Sequence, residues 1–135
     1  MGRKQKEKPL LLRRRKRPNK GAVVPSLFIF DLDGTLVDST EDLTTAVNLM
    51  RGEFGLAPLA RETVAGFVGD GVHALVERAL QDAPSVDRET ALAAQRRHYS
   101  LHLADHTRPY PGVMKGLAAL RSAGHRLAVA TNKPQ

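Results

Sequence analysis

The sequence contains no cysteine among its 135 residues. This absence excludes a disulfide framework and a thiolate metal site, and it is compatible with the reducing cytoplasm, where we expect the protein to reside. No apolar run is long enough to span a membrane, and the first residues are too polar for a secretory signal. A chain of this length forms one domain or less, with a modest core.

The formal charge of +7 is unevenly distributed along the chain. Residues 1–20 contain ten lysines and arginines and one acid, Glu7, whereas the rest of the chain contains 11 basic and 13 acidic residues. The basic character therefore belongs to a tail at 1–25, which has too little apolar content to order itself. Three interpretations of the tail stay open: solvated disorder, a start site placed upstream of the true one, and weak contact with a polyanion or membrane surface.

An apolar stretch followed by two acids is the most informative pattern. Residues 27–30 (Leu-Phe-Ile-Phe) predict a buried strand, and residues 26–38 are expected to form the first core strand and a catalytic loop. Asp31 and Asp33 follow the strand, where reacting groups lie in open α/β sheets. A carboxylate such as Asp31 can attack phosphorus and form an aspartyl phosphate, while Asp33 can protonate the leaving oxygen and later activate water.

Gly34 and Thr35 complete the loop. Glycine tolerates an unusual backbone dihedral and lets its amide approach a phosphate, and the threonine hydroxyl can brace the loop or donate to oxygen. An Asx turn without chemistry is the alternative interpretation. A calcium loop is disfavoured, because Gly34 comes three residues after Asp31 whereas that loop has its glycine at the sixth position.

Residues 39–106 predict a run of helices without a strand. Apolar residues recur there at helical spacing, and glycine, proline or serine interrupts them. The expected helices are one capped by Ser39 or Thr40 and ended by Gly55, then 61–67, 71–82 with Asp70 as its N-cap, and 87–104. A strand, then helices alone, then a return to strand indicates a helical insert in a sheet domain.

The return to the sheet is predicted at 107–135. Residues 109–113 (Pro-Tyr-Pro-Gly-Val) mark the return, a helix follows from Val113 and ends near Gly124, and residues 126–130 form a short apolar strand. A strand–crossover–strand unit is parallel, which places Thr131 beside Asp31. Thr131 and the following Asn132 are suited to hold a phosphoryl oxygen, and Lys133 adds a positive charge. Taken alone, the same residues are typical of an ordinary polar turn, which is the alternative interpretation.

With these residues in view, the sequence resembles the haloacid-dehalogenase-like phosphatase superfamily, whose first motif is an apolar strand followed by D-x-D-G-T. The runs FDLDGTLVDS, FVGDGVHALVERAL, YPGV and AVATNKP are similar to the phosphoglycolate phosphatases within it. The resemblance covers residues 26–135. It implies an α/β fold, namely part of a Rossmann-like parallel-sheet core with an all-helical cap inserted at 39–106.

The resemblance also implies an activity, the Mg²⁺-dependent hydrolysis of a small phosphorylated metabolite such as 2-phosphoglycolate. Asp31 would be the nucleophile and Asp33 the acid and base. Mg²⁺ would be held by an Asp31 oxygen and the Asp33 backbone carbonyl, together with an acid from later in the chain. Thr131 matches the second motif of the superfamily, and the residues expected to bind substrate are Gly34, Thr35, Thr131 and Asn132.

One departure concerns the carboxyl-terminal end. The superfamily requires a third-motif lysine and a fourth-motif aspartate after Thr131, and this sequence stops at Gln135. We therefore expect a fragment of a longer enzyme that is inactive by itself. Arg61, His73 and Arg78 are candidates to contact a substrate carboxylate, although we favour solvated positions for all three.

Several alternatives stay open at this point. Another small-molecule phosphatase or a sugar-phosphate mutase would carry the same first motif, and a polyanion-binding protein would act through the basic tail. Phosphonate cleavage is disfavoured, because the superfamily uses a cap lysine for it and residues 36–114 contain none. Dehalogenation does not need a proton-transferring acid at the position of Asp33, so the presence of Asp33 favours phosphoryl transfer. The sequence leaves the oligomeric state open.

Overall fold

The computed structural model describes residues 24–133. In chain order its elements are β1 (Leu27–Phe30), β2 (Val37–Asp38), α1 (Thr40–Glu53), α2 (Arg61–Ala65), α3 (Gly71–Ala79), α4 (Arg88–Leu101), β3 (Arg108–Pro109), α5 (Val113–Ser122) and β4 (Arg126–Val129). The basic tail predicted at 1–25 lies almost entirely outside the described residues, as do residues 134–135. None of the described helices combines the length and apolar character needed to cross a membrane.

Strands β1 and β4 form a parallel pair. Leu27 lies opposite Arg126, and Phe30 lies opposite Val129. The carboxyl ends of both strands therefore meet at the same edge, which is where ligands bind in open α/β sheets. Parallel pairing across a helical crossover confirms the mixed α/β fold.

A second pair of strands joins the two ends of the helical segment. Strand β2 runs antiparallel to β3, with Val37 opposite Pro109 and Asp38 opposite Arg108. The chain enters the helices through β2 and leaves them through β3. This pair was not predicted from the sequence, because strands of two residues are too short to show a periodicity.

Three of the four helices between β2 and β3 are shorter than their sequence pattern predicts. Helix α2 ends at Ala65 instead of 67, α3 at Ala79 instead of 82, and α4 at Leu101 instead of 104. In each case the chain continues in turns and bends, which hydrophobic periodicity does not distinguish from helix. Helix α1 has its predicted end, since Gly55 adopts a φ of +70° just beyond it.

The hydrophobic core lies among α1 to α4. Its fully buried members include Ala46, Val47, Met50, Val64 and Leu80. Ala46, Val47 and Met50 recur at helical spacing in α1, so this helix presents one apolar face to the others. The core therefore positions the helices relative to one another independently of β1 and β4.

The prediction of a buried strand at 27–30 is wrong for this structure. Leu27 is 57% exposed and Ile29 62% exposed. Parallel strands are buried where helices or further strands cover both faces. Within residues 24–133, β1 pairs only with β4, and helix α5 buries none of its own residues. The described residues therefore leave part of the apolar surface of β1 exposed.

The predicted helix caps also differ in their chemistry. Ser39 occupies the N-cap position of α1 without a capping hydrogen bond, and the Thr40 amide donates to the Asp38 carboxylate instead. Asp70 occupies the N-cap position of α3, but its side chain forms an ion pair with Arg78. Longer-range partners compete for both side chains, and Ser39 thereby becomes available to the site described below.

Two buried charges connect the helices to their surroundings. The Asp42 carboxylate accepts hydrogen bonds from the amides of His106 and Thr107, both at 2.8 Å, and from the Thr107 hydroxyl at 2.6 Å. Arg51 donates to the carbonyl oxygen of Ala57 at 2.7 Å and pairs with both carboxylate oxygens of Asp82 at 2.9 and 2.8 Å. Neither role was predicted, because their partners are distant in sequence or in loops.

Candidate active site

The loop after β1 is a tight turn that presents Asp31 at the strand end. The Leu32 carbonyl accepts the amides of Leu36 at 2.9 Å and of Val37 at 3.1 Å, which folds the loop back on itself. Gly34 has a φ of +76° in this turn, a conformation that glycine adopts without strain. The Asp31 side chain is exposed, and it accepts only the Leu32 amide among the described residues, at 2.8 Å.

Asp33 is more enclosed than Asp31. One of its carboxylate oxygens accepts the Ser39 hydroxyl at 2.6 Å and the Lys133 ammonium at 3.2 Å. Its side chain is 17% exposed. The two acids of the motif therefore differ in environment, since one faces solvent and the other is held between a hydroxyl and a cation. Such a difference is what allows neighbouring carboxylates to take different roles.

Lys133 connects the site to helix α4. Its ammonium also donates to the Tyr99 hydroxyl at 2.5 Å. Burial opposes the charge on Lys133, but the hydrogen bonds to Tyr99 and Asp33 outweigh it and raise the pKa of the lysine. Burial likewise raises the pKa of Tyr99. The lysine is therefore a fixed positive charge beside Asp33, held from two sides.

Residues at the end of β4 complete the strand edge. The Thr131 hydroxyl accepts the Lys133 amide at 3.1 Å, which turns the chain after the strand. A side chain at Gly71, which has a φ of +86°, would lie 4.0 Å from the β-carbon of Asn132. The start of α3 thus approaches the end of β4 closely.

A cavity of about 370 Å³ is lined by both parts of the chain. The strand edge contributes Asp31, Asp33, Thr131, Asn132 and Lys133. The helical segment contributes apolar residues from α3 and its preceding loop together with a polar face of α4. Four of the six predicted site residues are therefore brought together around one space.

Gly34 and Thr35 do not line this cavity. The Gly34 amide donates to the Val37 carbonyl at 2.9 Å, and the Thr35 amide donates to the Leu32 carbonyl at 3.2 Å. Both amides are engaged in closing the loop. In this arrangement the two residues shape the turn that presents Asp31, and their predicted contact with substrate stays a prediction.

Four residues of α4 that line the cavity were not predicted from the sequence, namely Gln95, Arg96, Tyr99 and Ser100. Their spacing along the helix places them on one face, which was the only signal available beforehand. The arginines considered earlier lie elsewhere: Arg61 pairs with Asp38 at 3.0 Å, and Arg78 donates to the Phe67 carbonyl at 3.1 Å.

The residues present fit part of a magnesium site. Asp31 offers a carboxylate with an uncommitted oxygen, and Asp33 adjoins it, which matches the preference of Mg²⁺ for a few hard oxygen ligands and several waters. Residues 24–133 contain no cluster of three or more histidine and acidic side chains able to hold a metal. A third protein ligand would have to come from outside the described chain.

Comparisons with known proteins agree with this geometry. Residues 28–135 match the family described as haloacid dehalogenase-like hydrolase. Phosphoglycolate phosphatase of Chromobacterium violaceum is 47% identical over 113 residues, covering 78% of this chain and 50% of the relative. The plasmid-encoded phosphoglycolate phosphatase of Cupriavidus necator is also 47% identical, over 110 residues. The chain spans about half the length of these curated relatives.

A solved structure shares the fold and is similar in sequence. The crystal structure described as a predicted phosphoglycolate phosphatase from Haemophilus somnus superposes with a TM-score of 0.72 at 30% identity. The match covers 82% of this chain and 52% of that one. The parallel pair and the helices therefore correspond to about half of a larger fold.

Proposed function

Because this chain belongs to the haloacid dehalogenase-like hydrolase family, we propose that it is the nucleophile-bearing part of a Mg²⁺-dependent phosphatase that converts 2-phosphoglycolate to glycolate and phosphate. The observation that carries the proposal is the shared cavity of Asp31, Asp33 and Thr131 at the carboxyl ends of two parallel strands. The names of the 47%-identical relatives support the choice of substrate.

The proposed reaction has two steps at phosphorus. An oxygen of Asp31 attacks the phosphorus, and the bond from phosphorus to the ester oxygen breaks as that oxygen takes a proton from Asp33. Water then attacks the aspartyl phosphate, gives a proton to Asp33, and releases phosphate with Asp31 restored. The exposure of Asp31 suits the nucleophile, and the enclosure of Asp33 suits the group that moves the proton.

Positive charge and hydrogen-bond donors near the phosphate come from this chain as well. Thr131 and Asn132 supply donors at the end of β4, and Lys133 supplies a cation within 3.2 Å of Asp33. Mg²⁺ held by Asp31 and Asp33 would reduce the repulsion between a carboxylate and a phosphate dianion. The third metal ligand and the third-motif lysine expected from the superfamily are not among residues 24–133.

We further propose that the domain organisation follows the predicted boundaries. Residues 26–38 and 107–135 belong to the core, residues 39–106 form a cap over the cavity, and residues 1–25 are a basic tail. The antiparallel pair of β2 and β3 supports this division, because it joins the two crossings between the helices and the sheet. The cap would keep bulk water from the aspartyl phosphate.

The test uses the protein expressed from its gene together with any coding sequence that follows residue 135. We expect release of phosphate from 2-phosphoglycolate that requires Mg²⁺. Asp31→Asn removes the nucleophile and should lower kcat by more than about a thousandfold, whereas Asp105→Asn, at an exposed position that pairs with His102, should leave it unchanged. Full activity of Asp31→Asn, or no Mg²⁺-dependent turnover of the unaltered protein, would contradict the proposal.

A further inference from the structure

One wall of the cavity contains a polar group without a partner. Gln95 is 1% exposed and lines the cavity, and its side-chain nitrogen makes no hydrogen bond among residues 24–133. A buried amide donor is unfavourable unless something accepts its hydrogen bonds. The nearby apolar residues Val72 and Leu75 offer no acceptor from their side chains. The position therefore fits an acceptor that arrives with a ligand.

Arg96, the next residue on α4, also lines the cavity. Within the described chain it forms no ion pair and no side-chain hydrogen bond, whereas its neighbour Arg97 pairs with Glu53 at 2.6 Å. Arg88 likewise pairs with Glu77 at 3.1 Å. A guanidinium without an acidic partner at the edge of a cavity is suited to bind a carboxylate or phosphate from the ligand.

The order of residues along α4 shows where Gln95 and Arg96 lie relative to Asp33. Tyr99 reaches Lys133, and Lys133 reaches Asp33, so the Tyr99 turn of the helix marks the phosphate end of the cavity. Gln95 lies one helical turn earlier, a rise of about 6 Å. Side chains on these two turns can therefore contact different groups of a short phosphate ester.

We propose that Gln95 and Arg96 bind the carboxylate of the leaving alcohol and thereby select short phosphomonoesters of hydroxy acids. This inference rests on the proposed phosphatase function. The Gln95 amide would donate one hydrogen bond to the carboxylate, and Arg96 would supply the opposite charge. Both residues would act on specificity, because among residues 24–133 neither forms a hydrogen bond or ion pair with Asp31 or Asp33.

The experiment compares 2-phosphoglycolate with ethyl phosphate, which lacks the carboxylate, using the complete reading frame. Arg96→Gln should lower kcat/KM for 2-phosphoglycolate about tenfold or more, mainly through KM, and change kcat/KM for ethyl phosphate less than about twofold. Gln95→Glu places a carboxylate against the substrate carboxylate and should have a larger effect of the same kind. Arg97→Gln is the matched control and should leave kcat/KM unchanged for both substrates.

A stability measurement separates recognition from a structural role. Gln95→Leu removes the unpartnered amide at similar volume, so we expect an unchanged or higher midpoint of thermal unfolding together with loss of the preference for 2-phosphoglycolate. A lower midpoint with an unchanged preference would show that Gln95 is structural and would overturn the inference.

The outcomes distinguish the two proposals. If neither ester is hydrolysed, the proposed function fails, and this inference fails with it. If both esters are hydrolysed but Arg96→Gln and Gln95→Glu change kcat/KM for the two esters by the same factor, the phosphatase function stands. The assignment of a carboxylate site is then wrong.

Discussion

The Lys133 ammonium lies 3.2 Å from a carboxylate oxygen of Asp33, a residue 100 positions earlier in the sequence. Only 13% of the lysine side chain and 17% of the aspartate side chain are exposed. This contact joins the loop after β4 to the loop after β1, and the Tyr99 hydroxyl extends it to the helices. The three segments that surround the cavity therefore meet at one ammonium group.

The contact between Tyr99 and Lys133 should contribute to stability. Tyr99→Phe keeps the buried ring and removes the acceptor of the lysine hydrogen bond, so we expect the free energy of unfolding to fall by about 1 kcal/mol. Urea unfolding of the 135-residue chain measures the change. Tyr110→Phe, at a half-buried position whose hydroxyl has no hydrogen bond within residues 24–133, is the control. Equal effects of the two substitutions would contradict the prediction.

The buried carboxylate of Asp42 should make stability dependent on pH. Burial would raise its pKa, but the hydrogen bonds from Thr107 and from the His106 amide outweigh burial and hold the pKa below its usual value of 3.8. A pKa lower in the folded state means that the stabilisation is present above that value and is lost as the pH falls through the folded pKa.

Asp42→Asn should therefore lower the free energy of unfolding near neutral pH by about 1–3 kcal/mol. The difference from the unaltered protein should shrink as the pH falls below 4. Urea unfolding at a series of pH values checks this, with the exposed Asp105→Asn as control. A difference of constant size at every pH would exclude Asp42 as the source.

Arg51 should not be replaceable by lysine. Its guanidinium donates to the Ala57 carbonyl and pairs bidentately with Asp82, and the side chain is only 2% exposed. Lysine has one nitrogen and cannot reproduce this geometry. Arg51→Lys should lower the free energy of unfolding by about 1–3 kcal/mol because the Ala57 carbonyl and the Asp82 carboxylate lose donors from a buried side chain.

The matched substitution is Arg97→Lys, which alters an exposed pair with Glu53. Surface ion pairs contribute little, so no measurable change is expected there. Chemical denaturation of both variants under the same conditions makes the comparison. If the two substitutions prove equally mild, then the buried network around Arg51 is not a determinant of stability.

The exposed strands should cause the 135-residue chain to associate. Ile29 is 62% and Val129 53% exposed, and each of the two paired strands has only one neighbour among the described residues. Unpaired edges with apolar side chains favour pairing with other chains. Ile29→Thr should reduce concentration-dependent association in sedimentation velocity, and Met114→Thr on α5 serves as the control. A monomer at all concentrations would contradict the prediction.

Local patterns were enough for much of the fold. The sequence shows an apolar tetrapeptide followed by Asp31, helical periodicity between 39 and 106, and a second apolar strand before Thr131. The rule that strand–crossover–strand units are parallel then placed Thr131 near Asp31. Helix ends and the short pair of β2 and β3 were missed, since periodicity does not resolve segments of two or three residues.

The same local patterns could not predict which side chains pair with one another. Arg61, Arg78 and Arg96 are chemically identical, yet the first two are held by Asp38 and Asp70 while the third faces the cavity. Similarly, the sequence predicts that Ser39 caps a helix, whereas in the structure its hydroxyl donates to Asp33. Which of several equivalent groups is engaged depends on distances across the fold, and a linear pattern does not contain those distances.

The order of residues by itself determined the family, the fold class and the two acids at a strand end, because these follow from periodicity and from a short contiguous motif. Only the tertiary structure decided that Asp33 is enclosed by Ser39 and Lys133, and that Gln95 and Arg96 form a wall of the same cavity. Such contacts depend on how separate elements pack. Packing brings together residues that no local interaction connects.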